Sequence, residues 1–394
     1  MYKSHYSRFL AADSERLHFA AHSHYYWPDV TREAALQCWD DAAHFADKKW
    51  THIFETVLPE AQRHVANRLG LTHPEQIAFA PNTHEFVNRL LSCIDHAPVR
   101  VLTTDSEFHS FSRQLARLKE AGKVKVKEVP ARPFETFEAR FKQAASEETF
   151  DLMFFSHVFY NSSVIVRDLP AIVAAVASPE TLVVIDGYHS FGAIPVSLAG
   201  IENRVFYMSG GYKYAQAGEG VCFLAVPKGC VLRPENTGWF ATFGSLDAAT
   251  SKGVDYSSDG FRFWGATFEP SGLYRLNAVM RWMQSQSLDA ATIDKYVRGL
   301  QRQFLEILDE LQLPHLNRHN LIAPFDPNRI AHFLTFKLPN AVTVAAALEQ
   351  LNIYVDVRAD RLRFGFGLYQ DTSDIEKLSL RLKTLSPAPS IPVR

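Results

Sequence analysis

Two short apolar runs that lie close together in the chain place the strongest constraint on its fold. The first spans residues 182–185 and ends in Asp186, and the second spans residues 205–208 and leads into a glycine-rich turn that holds Lys213. Apolar, β-branched runs of this length are typical of parallel strands buried on both faces. Because parallel strands deliver the residues that follow them to one edge of the sheet, Asp186 and Lys213 are expected at the same ligand-binding edge.

Strand and helix patterns alternate through the first 226 residues of the chain. This alternation predicts an α/β fold whose large domain has a mostly parallel sheet covered by helices. Besides the two runs above, strands are predicted at residues 76–80, 99–102, 124–129, 152–155 and 221–226. Helices are predicted to start at the turn 81–84 and to span residues 30–45, 59–69, 111–119, 137–144 and 169–176.

A segment rich in glycine and aromatic residues, 234–270, separates this region from the carboxyl-terminal part of the chain. The length of 394 residues suits two domains, so we divide the chain into residues 1–270, an amino-terminal segment with the large domain, and residues 271–394, a smaller α+β domain. The helices and strands predicted in the smaller domain span residues 273–283, 293–311, 332–337, 342–351, 353–357, 362–366 and 374–385.

Composition and charge argue against several classes of protein. The formal net charge of −2 and the lack of a basic cluster give no case for a nucleic-acid partner. The four cysteines are scattered without a CxxC pair, which predicts neither a metal site nor a disulfide framework. No run approaches the ~20 apolar residues of a membrane helix, so we expect no membrane partner and a cytoplasmic location.

Lys213 is the candidate catalytic residue. It follows two glycines, lies between two tyrosines, and precedes a second glycine-rich turn at residues 218–220. Most lysines are exposed, but this setting favours a confined site of low polarity, where the pKa of the amine falls and a Schiff base becomes chemically sensible. Pyridoxal phosphate needs such a lysine together with an acid that keeps its ring nitrogen protonated, and Asp186 suits that second role, although a helix cap or turn is its alternative.

Other candidates for cofactor contacts lie near predicted strands. His189 follows the aspartate by three residues, and Phe108 follows a strand from which it would stack on the cofactor ring. The alternative for each side chain is an ordinary place in the core. The polar turn that contains Thr83 and His84 begins a helix, and a helix start suits an anion such as phosphate.

Three arginines near the carboxyl terminus compete for the carboxylate of a substrate. Arginine binds a carboxylate through two parallel hydrogen bonds, so Arg363 suits the α-carboxylate of an amino acid. Arg358 and Arg361 lie close to it in sequence, and a surface salt bridge is the alternative role. His24 is interpreted as part of the active-site wall or as plain surface, because no cysteine or carboxylate cluster accompanies it as a metal site would require.

Taken together, these motifs resemble the class V aminotransferase superfamily of pyridoxal phosphate enzymes, of fold type I, and within it the kynureninases. Residues 186–189 are similar to the family's D-x-x-H, and residues 212–220 to its Y-K-Y-L-N-x-G-x-G. Residues 233–240 resemble R-P-E-x-x-G-W-[WF], residues 260–262 resemble G-F-R, and residues 82–88 resemble the superfamily's phosphate turn. The similarity extends over most of the chain.

The resemblance implies a role for each candidate residue. Lys213 would carry pyridoxal 5'-phosphate covalently, Asp186 would face its ring nitrogen, and Arg363 would hold the substrate carboxylate, with His24 assigned to the substrate site. The resemblance also implies a homodimer that acts on a small-molecule amino acid, with two residues, Trp239 and Thr267, reaching a site across the dimer interface. The remaining cofactor contacts implied are Thr83, His84, Phe108, His189 and Tyr212.

The motifs that contact the substrate in the family differ in this chain. The family's N-S-L-G is HSHY at residues 22–25, its F-P-[ST]-D is FHSF at residues 108–111, and its N-Y-Y-T-G-Q is FYNSSV at residues 159–164. The resemblance implies hydrolysis of a Cβ–Cγ bond that releases alanine, and the altered motifs leave the substrate open. Transamination and β-elimination are the alternatives, followed by a protein that uses the fold for binding alone. Cysteine desulfuration is disfavoured, because no cysteine follows Cys230 to act as the nucleophile.

Overall fold

The computed structural model of the chain describes residues 2–242, 253–314 and 316–385. The strands in chain order are β1 (Leu17–His18), β2 (Ile77–Ala80), β3 (Val99–Thr104), β4 (Val124–Val129), β5 (Leu152–Ser156), β6 (Leu182–Asp186), β7 (Val205–Gly210), β8 (Cys222–Ala225), β9 (Phe333–Lys337), β10 (Ile353–Tyr354), β11 (Asp356–Arg358) and β12 (Arg361–Gly365). The helices are α1 (Ser7–Ala11), α2 (Val30–Phe45), α3 (Lys49–His52), α4 (Leu58–Leu69), α5 (Thr83–Leu91), α6 (His109–Glu120), α7 (Phe137–Glu147), α8 (Leu169–Ala174), α9 (Ser271–Ser285), α10 (Ala290–Leu311), α11 (Ala341–Gln350) and α12 (Thr372–Leu382).

A seven-stranded sheet in the order β2-β8-β7-β6-β5-β3-β4 forms the centre of the large domain. The five strands from β7 to β4 are parallel, and β8 runs antiparallel to both of its neighbours. Every residue of β5, β7 and β8 is buried. Strands covered on both faces gain from apolar burial along their whole length, which explains the continuous apolar runs. The predicted α/β fold with a mostly parallel sheet is confirmed.

The ends of the covering helices follow the sequence signals. Helix α4 ends at Gly70, which adopts the left-handed conformation with φ of 67° and donates its N–H to the carbonyl of Ala66. Helix α5 begins after Asn82, whose side chain accepts a hydrogen bond from the N–H of Glu85. Among the helices in the described ranges, none is long and apolar enough to cross a membrane.

The carboxyl-terminal part contains a three-stranded antiparallel sheet in the order β11-β12-β9. The amino-terminal segment pairs with this part: β1 lies parallel to β10, and Ala20 forms a bridge to Gly365 of β12. This pairing, which the sequence did not predict, brings residues of both assigned domains into one sheet region. The boundary at residue 270 itself stays a prediction.

Candidate active site

A cavity of about 510 Å³ opens where β5, β6 and β7 end, beside the first turn of α5. This is the sheet edge at which the sequence predicted a ligand. The cavity brings together the predicted catalytic lysine and six of the predicted cofactor contacts from separate parts of the chain: Thr83, His84, Phe108, Asp186, His189, Tyr212 and Lys213.

Lys213 is buried among aromatic rings at the centre of this cavity. Its Nζ lies 4.7 Å from the ring centroid of Tyr188, 5.1 Å from that of Phe108 and 5.5 Å from that of Tyr212. Burial lowers the pKa of Lys213 to about 7, an effect that the carboxylate of Asp186 opposes. A large fraction of the amine is therefore unprotonated near neutral pH, which attack on a carbonyl carbon requires.

His189 lies directly beside the lysine. Its Nε2 is 3.1 Å from the Nζ of Lys213, and its ring also forms a hydrogen bond with the backbone of His22. Burial, reinforced by the positive charges of Lys213 and Arg363, holds the pKa of His189 well below its usual range. The imidazole is therefore neutral, and one of its ring nitrogens can accept a hydrogen bond from the lysine.

Asp186 ends β6 and faces the cavity from a partly buried position. Its Oδ1 accepts a hydrogen bond of 2.8 Å from the N–H of Tyr188. Burial raises the pKa of Asp186, and both this hydrogen bond and the charge of Lys213 oppose the shift. A carboxyl group with a raised pKa is well suited to share a proton with a ring nitrogen.

A buried acid, Glu107, lies next to Asp186 and was not predicted from the sequence. It accepts hydrogen bonds of 2.6 Å from the hydroxyl groups of Thr104 and Ser156 and one of 3.2 Å from the N–H of Ser156. Burial nevertheless raises the pKa of Glu107 to about 7, and the charge of Asp186 adds to this effect. The available signal was its position: a charged residue three places after the end of a buried strand, next to the predicted ring contact Phe108.

The first turn of α5 supplies an anion site at one end of the cavity. Free N–H groups and the helix dipole favour negative charge there. The Nδ1 of His84 is buried without a hydrogen-bond partner within the described residues, as expected of a group that meets a ligand. An anion site, a reactive amine and an acid in one cavity together fit pyridoxal phosphate, with its phosphate, aldehyde and ring nitrogen.

Other residues line the cavity without having been predicted. Ser156 is the polar residue that directly follows the apolar run of β5, just as Asp186 does on β6, and this parallel could have identified it. Tyr188 lies inside the D-x-x-H motif, and its hydroxyl group is 3.3 Å from the Sγ of Cys222. The backbone there is closely packed, because a Cβ on Gly210 would lie 2.2 Å from the Tyr188 hydroxyl oxygen.

Four predicted residues do not line the cavity: Trp239, Thr267, His24 and Arg363. Trp239 is 45% exposed with its ring 4.1 Å from that of Phe240, and Thr267 is also exposed. The resemblance assigns these two residues to a site across a dimer interface, so their roles stay predictions. His24 is exposed, and its ring centroid is 5.7 Å from that of Tyr212, which does line the cavity.

The three competing arginines differ in burial. The side chain of Arg363 is 4% exposed, whereas those of Arg361 and Arg358 are 30% and 49% exposed. Arg363 is also close enough to the cavity to lower the pKa of Lys213. Its guanidinium group donates to the backbone carbonyl of Tyr160 and pairs with a carboxylate on the neighbouring strand. Its role as the substrate's carboxylate ligand stays a prediction.

Comparisons with known proteins agree with the fold. No curated protein matches the sequence. Similar solved structures include the apo cysteine desulfurase from Thermococcus onnurineus NA1, with a TM-score of 0.78, 20% identity and 94% of each chain covered. The cystine C–S lyase C-DES with its product cysteine persulfide has a TM-score of 0.80 and 21% identity, over 96% of this chain and 100% of that one. The cysteine desulfurase CsdA from Escherichia coli has a TM-score of 0.77 and 15% identity, over 96% and 97%.

These likenesses show the fold, and a family model shows the family. The model described as aminotransferase class-V matches residues 33–378, which include every residue that lines the cavity. Within the described residues, no group of three or more histidine, cysteine, aspartate or glutamate side chains is arranged to hold a metal ion. The chain belongs to the class-V aminotransferase family and is an enzyme that depends on pyridoxal phosphate.

Proposed function

We propose that the protein acts on a small α-amino acid and cleaves a bond at its β-carbon, in the manner of a kynureninase. The proposal rests on one observation: the Lys213 amine and the Asp186 carboxyl group line the same cavity. Pyridoxal phosphate, when bound there, withdraws electrons from the α-carbon of the substrate.

The residues around the cavity would hold the cofactor at three points. Thr83, His84 and Tyr212 would bind the phosphate, with the first turn of α5 contributing its N–H groups. Asp186 would keep the ring nitrogen protonated, and Phe108 would pack on the face of the ring.

Lys213 is the group that would move a proton at the α-carbon. A free Lys213 amine with a pKa of about 7 would suit the role of a base near neutral pH. His189, 3.1 Å away, would accept a hydrogen bond from the ammonium group that results. Arg363 would orient the substrate through its carboxylate.

Hydrolysis of the Cβ–Cγ bond with release of alanine is the proposed reaction, and β-elimination is the second candidate. The fold likeness to a cystine C–S lyase favours this second candidate over transamination. Transfer of sulfur to a protein thiol has less support, because burial raises the pKa of all four cysteines of the chain, Cys38, Cys93, Cys222 and Cys230. A thiolate nucleophile would need the opposite shift.

We also propose a cytoplasmic homodimer. Large apolar side chains are exposed on α2, where Trp39 is 71% and Leu36 is 45% exposed, and Trp239 is exposed elsewhere on the surface. Apolar groups of this size are typical of surfaces that another subunit covers. Sedimentation of the parent protein and of Trp39→Glu tests the dimer, with a shift to monomer expected for the variant if α2 contributes to the interface.

The cofactor and the reaction can be tested separately. Purified protein mixed with pyridoxal phosphate should gain a visible absorbance band, and borohydride reduction should fix the cofactor on Lys213 in the parent but not in Lys213→Ala. Kynurenine should then release alanine and an anthranilate-type product. Pyruvate from cystine would favour β-elimination, and a keto acid without alanine would favour transamination. A parent protein that takes up no cofactor would contradict the whole proposal.

A further inference from the structure

The guanidinium group of Arg363 is occupied by groups of the protein itself. Its Nε donates to the Oδ2 of Asp356 at 2.7 Å, and its Nη2 donates to the same oxygen. Its Nη1 donates to the backbone carbonyl of Tyr160, whose side chain lines the cavity. Three of its five N–H groups are therefore engaged, and a substrate carboxylate cannot pair side-on with Nε and Nη2 of Arg363 unless Asp356 leaves.

Asp356 is the partner that can leave. It lies directly opposite Arg363 in the register of β11 and β12, so both side chains project from the same face of the small sheet. The carbonyl of Tyr160 belongs to the backbone, whereas the carboxylate of Asp356 sits on a short side chain that can rotate. Asp356 also presents to Arg363 the same chemical group as the α-carboxylate of an amino acid.

We propose that Asp356 is an internal carboxylate that a substrate displaces from Arg363. This inference rests on the proposed function, because it assigns the carboxylate-binding step of that same site. An amino acid enters by exchanging its carboxylate for that of Asp356, so Arg363 keeps a carboxylate partner throughout. Asp356 is a specificity-determining residue in this scheme, since a ligand without a carboxylate leaves the pair in place.

Two neighbouring side chains can receive the displaced carboxylate. The Oδ1 of Asp356 already lies 3.4 Å from the Nη2 of Arg358, an exposed arginine of the same strand. The Nε2 of His22 lies 4.0 Å from the Oδ2 of Asp356. His22 is completely buried, and both of its ring nitrogens lack a hydrogen-bond partner within the described residues. A small rotation of Asp356 would supply one of those nitrogens with an acceptor, which lowers the cost of the exchange.

Packing holds His22 in position to act as this receiver. Its ring stacks on Phe333 with the centroids 4.4 Å apart, and its Nδ1 lies where a Cβ on Gly365 would come within 2.2 Å. Burial, together with the charges of Arg363 and Lys213, keeps the pKa of His22 well below its usual range, so the ring is neutral. A neutral imidazole still offers one N–H donor, so the exchange needs no added proton.

Binding of a simple carboxylate to the cofactor-loaded protein tests the exchange. Propanoate has no amino group and cannot react with the cofactor, so calorimetric titration reports on Arg363 alone. We expect Asp356→Asn to bind propanoate about tenfold or more tightly than the parent, because the competing carboxylate is gone. The control is Asp360→Asn, which removes the same charge from the residue just before β12, where the side chain is 44% exposed. This variant should bind propanoate like the parent.

Further arms separate the possible failures. The gain in propanoate affinity should vanish when Asp356→Asn is combined with Arg363→Gln, because the gain depends on Arg363. If loaded Asp356→Asn binds propanoate no more tightly than the parent, the exchange is overturned while the proposed function stands. If the parent takes up no cofactor on Lys213, it is the proposed function that fails.

A structure of the parent protein at saturating propanoate covers the case in which Asp356→Asn does not fold. Asp356 should then have turned toward Arg358 or His22, with propanoate paired to Arg363. An unbroken pair between Asp356 and Arg363 beside bound propanoate would overturn the inference.

Discussion

The buried amine of Lys213 makes the stability of the cofactor-free protein depend on pH. Its pKa is about 7 in the folded protein against an ordinary value of 10.5, so between these values the unfolded chain holds a proton that the folded protein lacks. The unfavourable contribution of Lys213 is therefore complete below about pH 7 and disappears as the pH rises toward 10.5. We expect Lys213→Met to be more stable than the parent at neutral pH, with the difference shrinking at alkaline pH.

Urea unfolding of the two cofactor-free proteins over this pH range measures the effect. Lys119→Met, which changes an exposed lysine on α6, is the matched control and should differ from the parent by a constant amount. A difference for Lys213→Met that also stays constant from neutral to alkaline pH would show that the amine is not desolvated.

Glu107 should give the opposite dependence on pH. Its pKa is raised from 4.5 to about 7, so between these values the folded protein holds a proton that the unfolded chain has released. Stability due to this group is therefore lost as the pH rises through that range. Glu107→Gln, which keeps the size of the side chain, should gain stability relative to the parent between pH 4.5 and 7.

Thermal melting at several pH values measures this gain. The control is Glu306→Gln, at an exposed position on α10. Its melting temperature should differ from that of the parent by the same amount at every pH in this range. If Glu107→Gln is less stable than the parent at every pH to the same extent, its hydrogen bonds matter more than its desolvation.

The residues of the site differ in how far the sequence could predict them. Asp186 and Lys213 follow apolar runs so regular that their meeting at one sheet edge could be predicted from the pattern alone. Glu107 shows no such pattern, because its raised pKa arises from burial that only the packed structure defines. The pairing of Asp356 with Arg363 could not be predicted from the sequence, because the apolar pattern of two short antiparallel strands does not determine their register.

At the scale of single elements, the first turn of α5 combines stability with ligand binding. Asn82 caps the helix through a hydrogen bond of 3.1 Å from the N–H of Glu85 to its Oδ1. Asn82→Ala should therefore cost about 1 kcal/mol in the free energy of unfolding. Asn82→Asp keeps the cap but adds a negative charge beside the proposed phosphate site, so it should restore stability while weakening binding of pyridoxal phosphate.

The two readouts are urea unfolding without the cofactor and titration of the visible absorbance with the cofactor. We expect Asn82→Asp to match the parent in the free energy of unfolding but to bind pyridoxal phosphate more weakly. Equal cofactor affinity in Asn82→Asp and the parent would place the phosphate away from this turn.

Long, regular elements were predicted better than short ones. Helix α2 and strand β4 have the predicted limits. Between α2 and α4 no element was predicted, yet the chain forms α3 and a further helical turn at Ile53–Val57. Strand β1 has only two residues, and its parallel pairing with β10 depends on a segment more than 300 positions away.

At the scale of the whole molecule, the amino-terminal segment ties the carboxyl-terminal sheet to the cavity. The Nζ of Lys3 lies 2.7 Å from the Oδ1 of Asp374 on α12. Tyr6 is completely buried and donates to the side chain of Gln216, three residues after Lys213. These contacts connect the amino-terminal segment both to α12 and to the turn that follows Lys213.

Gly365 is the closest point of this connection. A Cβ at this position would lie 2.2 Å from the Nδ1 of His22 and 2.9 Å from its backbone nitrogen, so Gly365→Ala must push the amino-terminal segment away from β12. We expect a loss of about 1–3 kcal/mol in the free energy of unfolding. Gly299→Ala is the matched control, because no atom comes within 4 Å of a Cβ there and alanine favours the helix α10.

Limited digestion with trypsin shows whether the loss starts at this connection. In Gly365→Ala, cleavage after Arg16 should become much faster than in the parent, because β1 separates from β10 before the central sheet opens. The control Gly299→Ala should be cut no faster than the parent. If Gly365→Ala is destabilised but is not cleaved faster after Arg16, the three-stranded sheet opens before β1 separates from β10. The amino-terminal segment would then not stabilise that sheet.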